Sequence, residues 1–385
     1  MPFPLVALLL LSQTAAPPPP NPQRYEKLTA QVDTAIRERR NLDALGMLDK
    51  ALKADPKWQQ GWWLLGSLLY DMGDYAAARP ALERLAGMDP KAGAPWALLG
   101  LCEFEMKDYG LALQHLQRGD AFGFPAALGL LDVVRYHEAL LLILQEKYEP
   151  ALVLLDRLIR QGKDTEELAL AEALAALRLP ILPSTLVQAA GEERMRMIRR
   201  VAEAQRAMAH EKMTEAIAMY KNLVAAYPRV PNLHLSYAAL LSQMRDRPGA
   251  EAQLREELKV DPRNVAALLK LATLLEPDSP EEAAKLAGQA VKLDPKSFKT
   301  HFSLGRALLK LDKPAESAKE LEISRDLAPS SSMVRFELVK AYMALGKSAD
   351  ADRETKMFKR LRAAEEQFRK SGQVPASYFE PETRP

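Results

Sequence analysis

Proline residues recur along this chain at a nearly constant spacing. They form two series, Pro56 and Pro90, then Pro228, Pro262, Pro295 and Pro329. Every step within each series is about 34 residues. Proline is tolerated in the first turn of a helix and excluded from helix interiors. The spacing therefore predicts that the same junction between helices recurs in successive units of this length.

Other landmarks return at the same offset between the prolines. The clearest unit contains Trp62, Gly66, Gly73, Tyr75, Ala78 and Leu82, and the next contains Trp96, Gly100, Tyr109, Ala112 and Leu116. Small residues such as Gly66 and Gly305 are predicted to let two paired helices approach closely, with large residues such as Trp62 filling the space beside them. Gly73 and Gly346 are predicted to take the left-handed conformation that ends the first helix of a pair.

This pattern resembles the tetratricopeptide repeat family, whose signature is Trp, Leu-Gly, Tyr, Ala, an aromatic residue or Leu, and then Pro. The resemblance covers most of residues 25–365. It implies an all-α fold, namely a right-handed superhelical solenoid of antiparallel helix pairs. Composition agrees, because Ala, Leu, Glu, Lys and Arg dominate between the loops and all favour helices. Alternating runs of β-branched residues, which a sheet needs, are missing.

The array is predicted to be uneven. Tyr148 follows Tyr109 at a longer distance than the period allows, and the loop at 119–125 is expected to absorb the difference. Pro180 and Pro183 indicate a break between two subarrays. We therefore expect a signal peptide at 1–16, a proline-rich spacer at 17–24, an N-terminal repeat subarray at 25–178, a linker or interruption at 179–191, a C-terminal repeat subarray at 192–352, a capping helix at 353–371 and a disordered tail at 372–385.

The N-terminus has the pattern of an export signal. Residues 3–11 are an apolar run, followed by small and polar residues up to Ala16. The run is much shorter than the roughly 20 residues that span a bilayer, but its length suits the core of a secretory signal. No Lys or Arg precedes it, and four prolines follow Ala16 directly. We expect export to the periplasm or beyond; the alternative is an apolar leader on a cytoplasmic protein.

Motifs for chemistry are missing from the sequence. The single cysteine, Cys102, excludes an intrachain disulfide and a thiolate zinc cluster. No dinucleotide-binding, phosphate-loop or nucleophile-elbow motif occurs. Because no such site is found, we expect no enzymatic activity, no cofactor and no metal.

The five histidines do not change this expectation. His137-Glu138 and His210-Glu211 begin like a zinc-protease helix, but the second histidine four residues on is missing from both. His234 and His301 occupy the place of Trp62 in their repeats, so packing between repeats accounts for them.

Charge excludes a strong overall attraction to nucleic acid or anionic lipid. Lys and Arg number 53, and Asp and Glu number 51. Local basic runs occur at Arg194, Arg196, Arg199 and Arg200, and at Lys356, Lys359, Arg360 and Arg362. Both alternate with apolar residues at helical spacing, which favours solvated helix faces over a polyanion site.

The resemblance also implies where a partner would bind. In this family, the first helix of each pair lines a concave groove. The groove positions that would carry binding here are Trp63, Tyr70, Leu101 and Phe104 in the N-terminal half, and Phe302, Arg306, Phe336 and Lys340 in the C-terminal half. Large apolar side chains beside a few cations suit a segment of a partner protein. The alternative is that these side chains pack against neighbouring helices.

The family's best-known groove chemistry, a clamp of Lys, Asn and Arg for a terminal carboxylate, is not matched. The asparagine positions carry Ser67, Leu101 and Arg306, so we do not expect recognition of chaperone tails. The sequence favours a non-catalytic scaffold or adaptor that binds a protein or peptide. An RNA-binding helical repeat and an accessory module of an enzyme complex are the alternatives. The near-zero net charge and the aromatic groove argue against RNA.

Overall fold

The computed structural model describes residues 22–125, 128–163 and 165–370. Over these ranges the chain folds into α-helices, with no β-strand among them. The predicted signal peptide at 1–16 and the tail at 372–385 lie outside the described residues, as does most of the spacer at 17–24.

The helices alternate between a first and a second member of each pair. In the N-terminal half they are α1 (Pro22–Arg37), α2 (Asn41–Ala54), α3 (Gln59–Asp71), α4 (Tyr75–Met88), α5 (Gly93–Glu105), α6 (Tyr109–Phe122), α7 (Leu130–Leu144), α8 (Tyr148–Arg160), α9 (Glu166–Ala176) and α10 (Pro183–Ala189). In the C-terminal half they are α11 (Glu192–Ala209), α12 (Met213–Ala226), α13 (Leu233–Gln243), α14 (Arg247–Val260), α15 (Val265–Leu275), α16 (Pro280–Leu293), α17 (Phe298–Lys310), α18 (Pro314–Leu327), α19 (Ser332–Ala344) and α20 (Ser348–Lys370).

The helix starts confirm the predicted period. The second helices begin at Asn41, Tyr75 and Tyr109, and later at Met213, Arg247, Pro280, Pro314 and Ser348. Every step within these two runs is about 34 residues. Consecutive helices pack on each other through short turns, and first helices of neighbouring repeats also touch, as α3 touches α5 and α17 touches α19. The fold is therefore an array of antiparallel helix pairs.

Glycine holds the two helices of a pair close together. A Cβ atom on Gly66 would lie 2.6 Å from Leu82, and one on Gly305 would lie 2.6 Å from Leu321. These distances are too short for real Cβ contacts, so the second helix occupies the space that a side chain would need. The predicted role of these glycines is confirmed.

The turn inside most pairs uses a left-handed residue at a fixed place, and the turn between α15 and α16 does not. Gly73 and Gly346 have φ angles of 77° and 69°, as predicted. The equivalent turns carry non-glycine residues with positive φ at Arg39, Lys107, Glu146, Glu211, Arg245 and Asp312. The geometry is thus imposed by the helix pair even where the sequence provides no glycine.

The tryptophan position has a different role from the predicted one. Trp62 is half-buried rather than fully enclosed, and its indole Nε1 donates to the carbonyl oxygen of Pro56 at 3.0 Å. Trp96 does the same to Pro90 at 3.1 Å. The guanidinium group of Arg84 lies over the Trp62 ring, 5.1 Å from its centre. Trp62 therefore packs against the edge of the core and also joins the proline junction to the helix.

Residue contacts divide the chain into two compact units. Among the described residues, the first unit comprises those from 22 to 147 and 151 to 163, and the second comprises those from 148 to 150 and 165 to 370. The structure therefore places the division near residue 163 and not at 179–191. The reason is that α9 packs against α11, and both contribute to one apolar core of the second unit, in which Leu174 and Val201 are buried.

Residues 179–191 contain a shortened second helix, α10, which pairs with α9 to complete a repeat. Within them, α10 begins at Pro183, about one repeat period after α8 begins at Tyr148, which is where a second helix is due. It has only seven residues, whereas α12 and α14 have 14 each. At the other end of the chain, α20 runs unbroken for 23 residues, so the capping helix expected from 353 is the continuation of the last second helix.

Candidate functional site

The predicted groove residues of the first unit are mostly inside the protein. Trp63 is 6% exposed, Tyr70 is 7% exposed and Leu101 is fully buried. Phe104 is half-buried, with its ring centre 4.7 Å from that of His137. The prediction that these side chains are open to a partner is therefore wrong for Trp63, Tyr70 and Leu101. The physical reason is that α3 and α5 are apolar on nearly every face, and such helices are buried all round.

The second unit keeps its groove positions open. On α19, Met333, Phe336, Lys340 and Met343 are exposed, and their spacing of three, four and three residues puts them on one helix face. Phe336 is 44% exposed and Met343 is 68% exposed. Large apolar side chains are seldom grouped in this way on a surface that binds nothing.

The preceding repeat presents the same arrangement on α17. Phe302, Arg306 and Leu309 precede Phe336, Lys340 and Met343 by one repeat, and all three are partly buried. Because α17 contacts α19, the two sets are neighbours. We call the surface formed by these residues and Met333 the α17–α19 face.

The cations of the α17–α19 face lie over its own aromatic rings. The guanidinium carbon of Arg306 is 5.7 Å from the centre of the Phe302 ring, and Nζ of Lys340 is 4.3 Å from that of Phe336. Each cation also has a carboxylate partner. Arg306 is 3.0 Å from the buried Glu276, and Lys340 is 2.9 Å from Glu337. The positive charge is therefore largely balanced within the face.

The opposite side of α19 fixes the exposed side chains in place. Val334, Leu338, Ala341 and Tyr342 are buried in the core of the last repeat. From the next helix, the ring of Phe358 packs against that of Phe336, with centres 5.4 Å apart.

Ion pairs add to this support. The guanidinium group of Arg335 donates to the buried Glu354 at 2.8 Å and to the carbonyl oxygen of Pro329, also at 2.8 Å. The α17–α19 face is thus an apolar surface on a fixed support.

The histidines at the tryptophan position also bind the proline junction. His301 Nε2 lies 2.9 Å from the carbonyl oxygen of Pro295, and its Nδ1 lies 2.6 Å from Glu320. His234 Nε2 lies 3.3 Å from the carbonyl oxygen of Pro228. The packing interpretation of both histidines is confirmed.

Other titratable side chains are withdrawn from water. Burial lowers the pKa of His137 to about 4 and raises the pKa of Glu138 well above its ordinary value. Burial also raises the pKa of the Cys102 thiol to about 12. His137 and the Cys102 thiol are therefore uncharged near neutral pH, which fits positions in a helix core.

The described part of the chain holds no group of three or more His, Cys, Asp and Glu side chains placed to hold a metal ion. Its helices include none that is both long and apolar enough to cross a membrane.

The sequence profile of the tetratricopeptide repeat family matches this chain in two regions, residues 64–123 and 278–332. These two regions carry tetratricopeptide repeats. The first match covers most of α3 together with α4, α5 and α6, and the second covers α16, α17 and α18. Phe302 and Arg306 thus lie within a matched tetratricopeptide repeat, and Phe336 and Lys340 lie in the repeat that follows.

Solved structures of the tetratricopeptide type also resemble this chain. A MamA RS-1 ArsTM double mutant has 15% sequence identity and a TM-score of 0.42, over 46% of this chain and 97% of that one. A MamA fragment, 41-end from Desulfovibrio magneticus RS-1, has 16% identity and a TM-score of 0.39, with the same shares covered. A further MamA crystal structure has 17% identity and a TM-score of 0.39. Among curated proteins, none matches.

Proposed function

We propose that this tetratricopeptide repeat protein is a non-catalytic scaffold that binds a segment of a partner protein on the α17–α19 face. The observation that carries the proposal is the exposure of Phe336 and Met343 on the same face of α19, beside Phe302. Removing such side chains from water contributes about 1.5–3 kcal/mol each when burial is complete. A partner that covers the α17–α19 face would gain this free energy on binding.

The chemistry of the face favours an apolar segment with few charges. Arg306 and Lys340 are already paired with Glu276 and Glu337, so a strongly acidic partner would have to displace those carboxylates. An amphipathic helix that places apolar residues at every third and fourth position would match the ridge of Phe336 and Met343. Interface anchors of this kind are typically worth about 2 kcal/mol or more when truncated.

The same pairing argues against RNA as the occupant. Sequence-reading RNA modules stack bases on aromatic rings and need cations free for phosphates. Here the aromatic rings are partly covered by cations of the protein itself, and those cations have carboxylate partners.

The test is affinity capture from an extract of the native host with the double variant Phe336→Ala/Met343→Ala as bait. The matched control is Leu42→Ala, because Leu42 is 78% exposed and lies on α2 of the first unit. We expect the double variant to lose the specific partner that both the wild type and the control retain. Equal recovery with all three baits would reject the α17–α19 face.

We also propose that the protein is exported. The support is the apolar run at residues 3–11 and the small residues that follow it. Mass spectrometry of protein from the native host is expected to find an N-terminus between Ala15 and Asn21. Recovery of residues 1–11 in the cytosolic fraction would reject export.

A further inference from the structure

The shortened helix α10 leaves part of the second unit uncovered. In the other repeats, the second helix packs against the first helix of the next repeat, as α12 packs on α13 and α14 on α15. Those second helices have 14 residues, and α10 has seven. At a rise of about 1.5 Å per residue, roughly 10 Å of helix is missing from this position.

The first helix of the next repeat is longer by a similar amount. α11 has 18 residues, whereas α13 has 11 and α17 has 13. The first turns of α11, from Glu192 to about Ile198, therefore have no counterpart in those repeats. The residues lost from α10 are close in number to those gained by α11.

A cleft lies beside the end of α10, along α11. Its volume is about 640 Å³, and it is lined by Val187 and Ala190 at the end of α10 and by residues of α11 from Glu192 to Glu203. A smaller cleft of about 360 Å³ continues from Arg200 and Glu203 to α12. We call the two together the α10–α12 cleft. It follows α11 from its extended N-terminal turns to the side of α12.

The α10–α12 cleft combines apolar contacts with charged side chains, in which three arginines outnumber the two carboxylates of Glu192 and Glu203. Val187 is 58% exposed at its edge, and Met195 and Leu223 form part of its wall. Arg196 and Arg200 are exposed and make no ion pair within the described residues, while Arg199 has an exposed partner, Glu166, at 3.2 Å. The arginine run that the sequence assigned to a solvated face is thus collected along a cleft.

We propose that the α10–α12 cleft is a second docking site, for an acidic amphipathic helix of about two turns from a partner protein. Its length follows from the missing half of α10. Its apolar face would cover Val187 of α10 and Met195 of α11. Its carboxylates would pair with Arg196 and Arg200, for which planar two-point contacts are available. This site is independent of the α17–α19 face.

A designed peptide tests the proposal directly. The probe is a fluorescein-labelled 14-residue helix whose two central turns carry Leu at positions 4, 5, 8 and 11, with Glu and Ala elsewhere. Its matched control has Lys in place of every Glu, and fluorescence anisotropy is measured with the full chain. We expect saturable binding of the Glu peptide and at least tenfold weaker binding of the Lys peptide.

Variants of the protein locate the binding. Arg196→Glu/Arg200→Glu and Val187→Glu are each expected to weaken the Glu peptide at least tenfold. Arg194→Glu carries the same kind of charge reversal on the same helix but outside the lining, and is expected to change binding less than twofold. Circular dichroism at 222 nm confirms that each variant remains helical. Phe336→Ala/Met343→Ala is expected to bind the Glu peptide normally, which separates this site from the proposed function.

Three outcomes would overturn the proposal. The first is no saturable binding of the Glu peptide, and the second is equal weakening by Arg194→Glu and by the double reversal. The third is tighter binding of a 14-nucleotide single-stranded DNA than of the Glu peptide, lost on the double reversal, which would assign the cleft to nucleic acid.

Discussion

The indole Nε1 of Trp62 donates a hydrogen bond to the carbonyl oxygen of Pro56, six residues earlier, and the same bond recurs along the chain with different donors. Trp96 makes it to Pro90, and Arg335 makes it to Pro329. His234 and His301 place Nε2 at the same position. At Pro262 the residue six positions on is Leu268, which has no donor, so the contact is made at the other five junctions. The carbonyl group at each of these five lies between helices, where it has no partner within a helix. A side chain six residues on provides that partner, which explains how Trp, His and Arg can replace one another there.

Replacing Trp62 by a residue without an N–H donor should destabilise the protein more than replacing it by histidine, which keeps one. We expect Trp62→Phe to lower the free energy of unfolding by about 1 kcal/mol through the lost hydrogen bond, in addition to any packing loss. Trp62→His loses similar volume but keeps an N–H group, so it should be the more stable variant of the two. Urea unfolding followed by the fluorescence of the remaining tryptophans measures both. Equal stability of the two variants would show that the hydrogen bond contributes nothing.

The close helix approach at Gly305 gives a second prediction. Gly305→Val would force side-chain atoms against Leu321 and should cost on the order of 1–3 kcal/mol through overpacking. Gly288→Val is the matched control, because a Cβ atom at Gly288 meets nothing within 4 Å. Thermal unfolding by circular dichroism compares the two variants. All four tryptophans lie between residues 58 and 96 of the first unit. Their fluorescence transition should therefore stay in place, since repeats couple mainly to their neighbours.

The left-handed turn residues provide a matched pair of opposite substitutions. Gly73→Ala should destabilise the first unit by about 1 kcal/mol, because a side chain is strained at a φ of 77°. Lys107→Gly, in the next repeat at a φ of 64°, should relieve the same strain, although glycine also gains entropy in the unfolded chain. Its effect should lie between neutral and about 1 kcal/mol stabilising. Urea midpoints that move in the same direction for both variants would contradict this account of the turn.

Burial of His137 predicts a dependence of stability on pH. Its pKa of about 4 in the folded protein lies below the ordinary value of about 6.5, so the unfolded chain binds the proton more readily. The stability that the protein gains by keeping His137 neutral is complete above about pH 6.5 and is lost as the pH falls towards 4. Between pH 7 and pH 5, protonation of His137 in the unfolded chain should lower the free energy of unfolding by up to about 2 kcal/mol.

The control for this prediction removes the titrating group. His137→Gln should flatten the pH dependence of the first unit between pH 7 and pH 5, measured as the urea midpoint of tryptophan fluorescence. The neighbouring Glu138 acts in the opposite direction, because its pKa is raised, so Glu138→Gln should make the loss on acidification steeper. An unchanged slope in His137→Gln would show that another group governs the pH dependence.

The repeat fold could be predicted from sequence because its landmarks are local. Pro56, Gly73 and Gly305 each mark a junction, a turn or a close contact that few other residues allow. The shortened repeat was harder to recognise. Pro180 and Pro183 interrupt the helical pattern, but the start of α10 keeps the period with Tyr148. A second helix is due about 34 residues after Tyr148, and this spacing alone predicts the position of α10.

The groove residues of the first unit show what the family pattern cannot provide. The pattern predicts which helix a residue lies on and its position in the repeat. It does not predict whether the side chain is exposed to solvent. For Trp63 and Leu101, the signal was present in the sequence, because α3 and α5 have almost no polar face. In α19, by contrast, the charged residues Arg335, Glu337 and Lys340 interrupt the apolar sequence, so this helix is not apolar on every face.

The most direct test of the proposed function is site-specific photo-crosslinking in the native host. A benzophenone amino acid replaces Phe336 in one protein, Met343 in a second and Leu42 in a third, and the crosslinked products are identified by mass spectrometry. Phe336 and Met343 lie on the α17–α19 face, while Leu42 is at least as accessible on the first unit. We predict that positions 336 and 343 crosslink to the same partner protein and that position 42 does not. Absence of a common partner at 336 and 343, or equal capture of it at 42, would contradict the α17–α19 face as the binding surface.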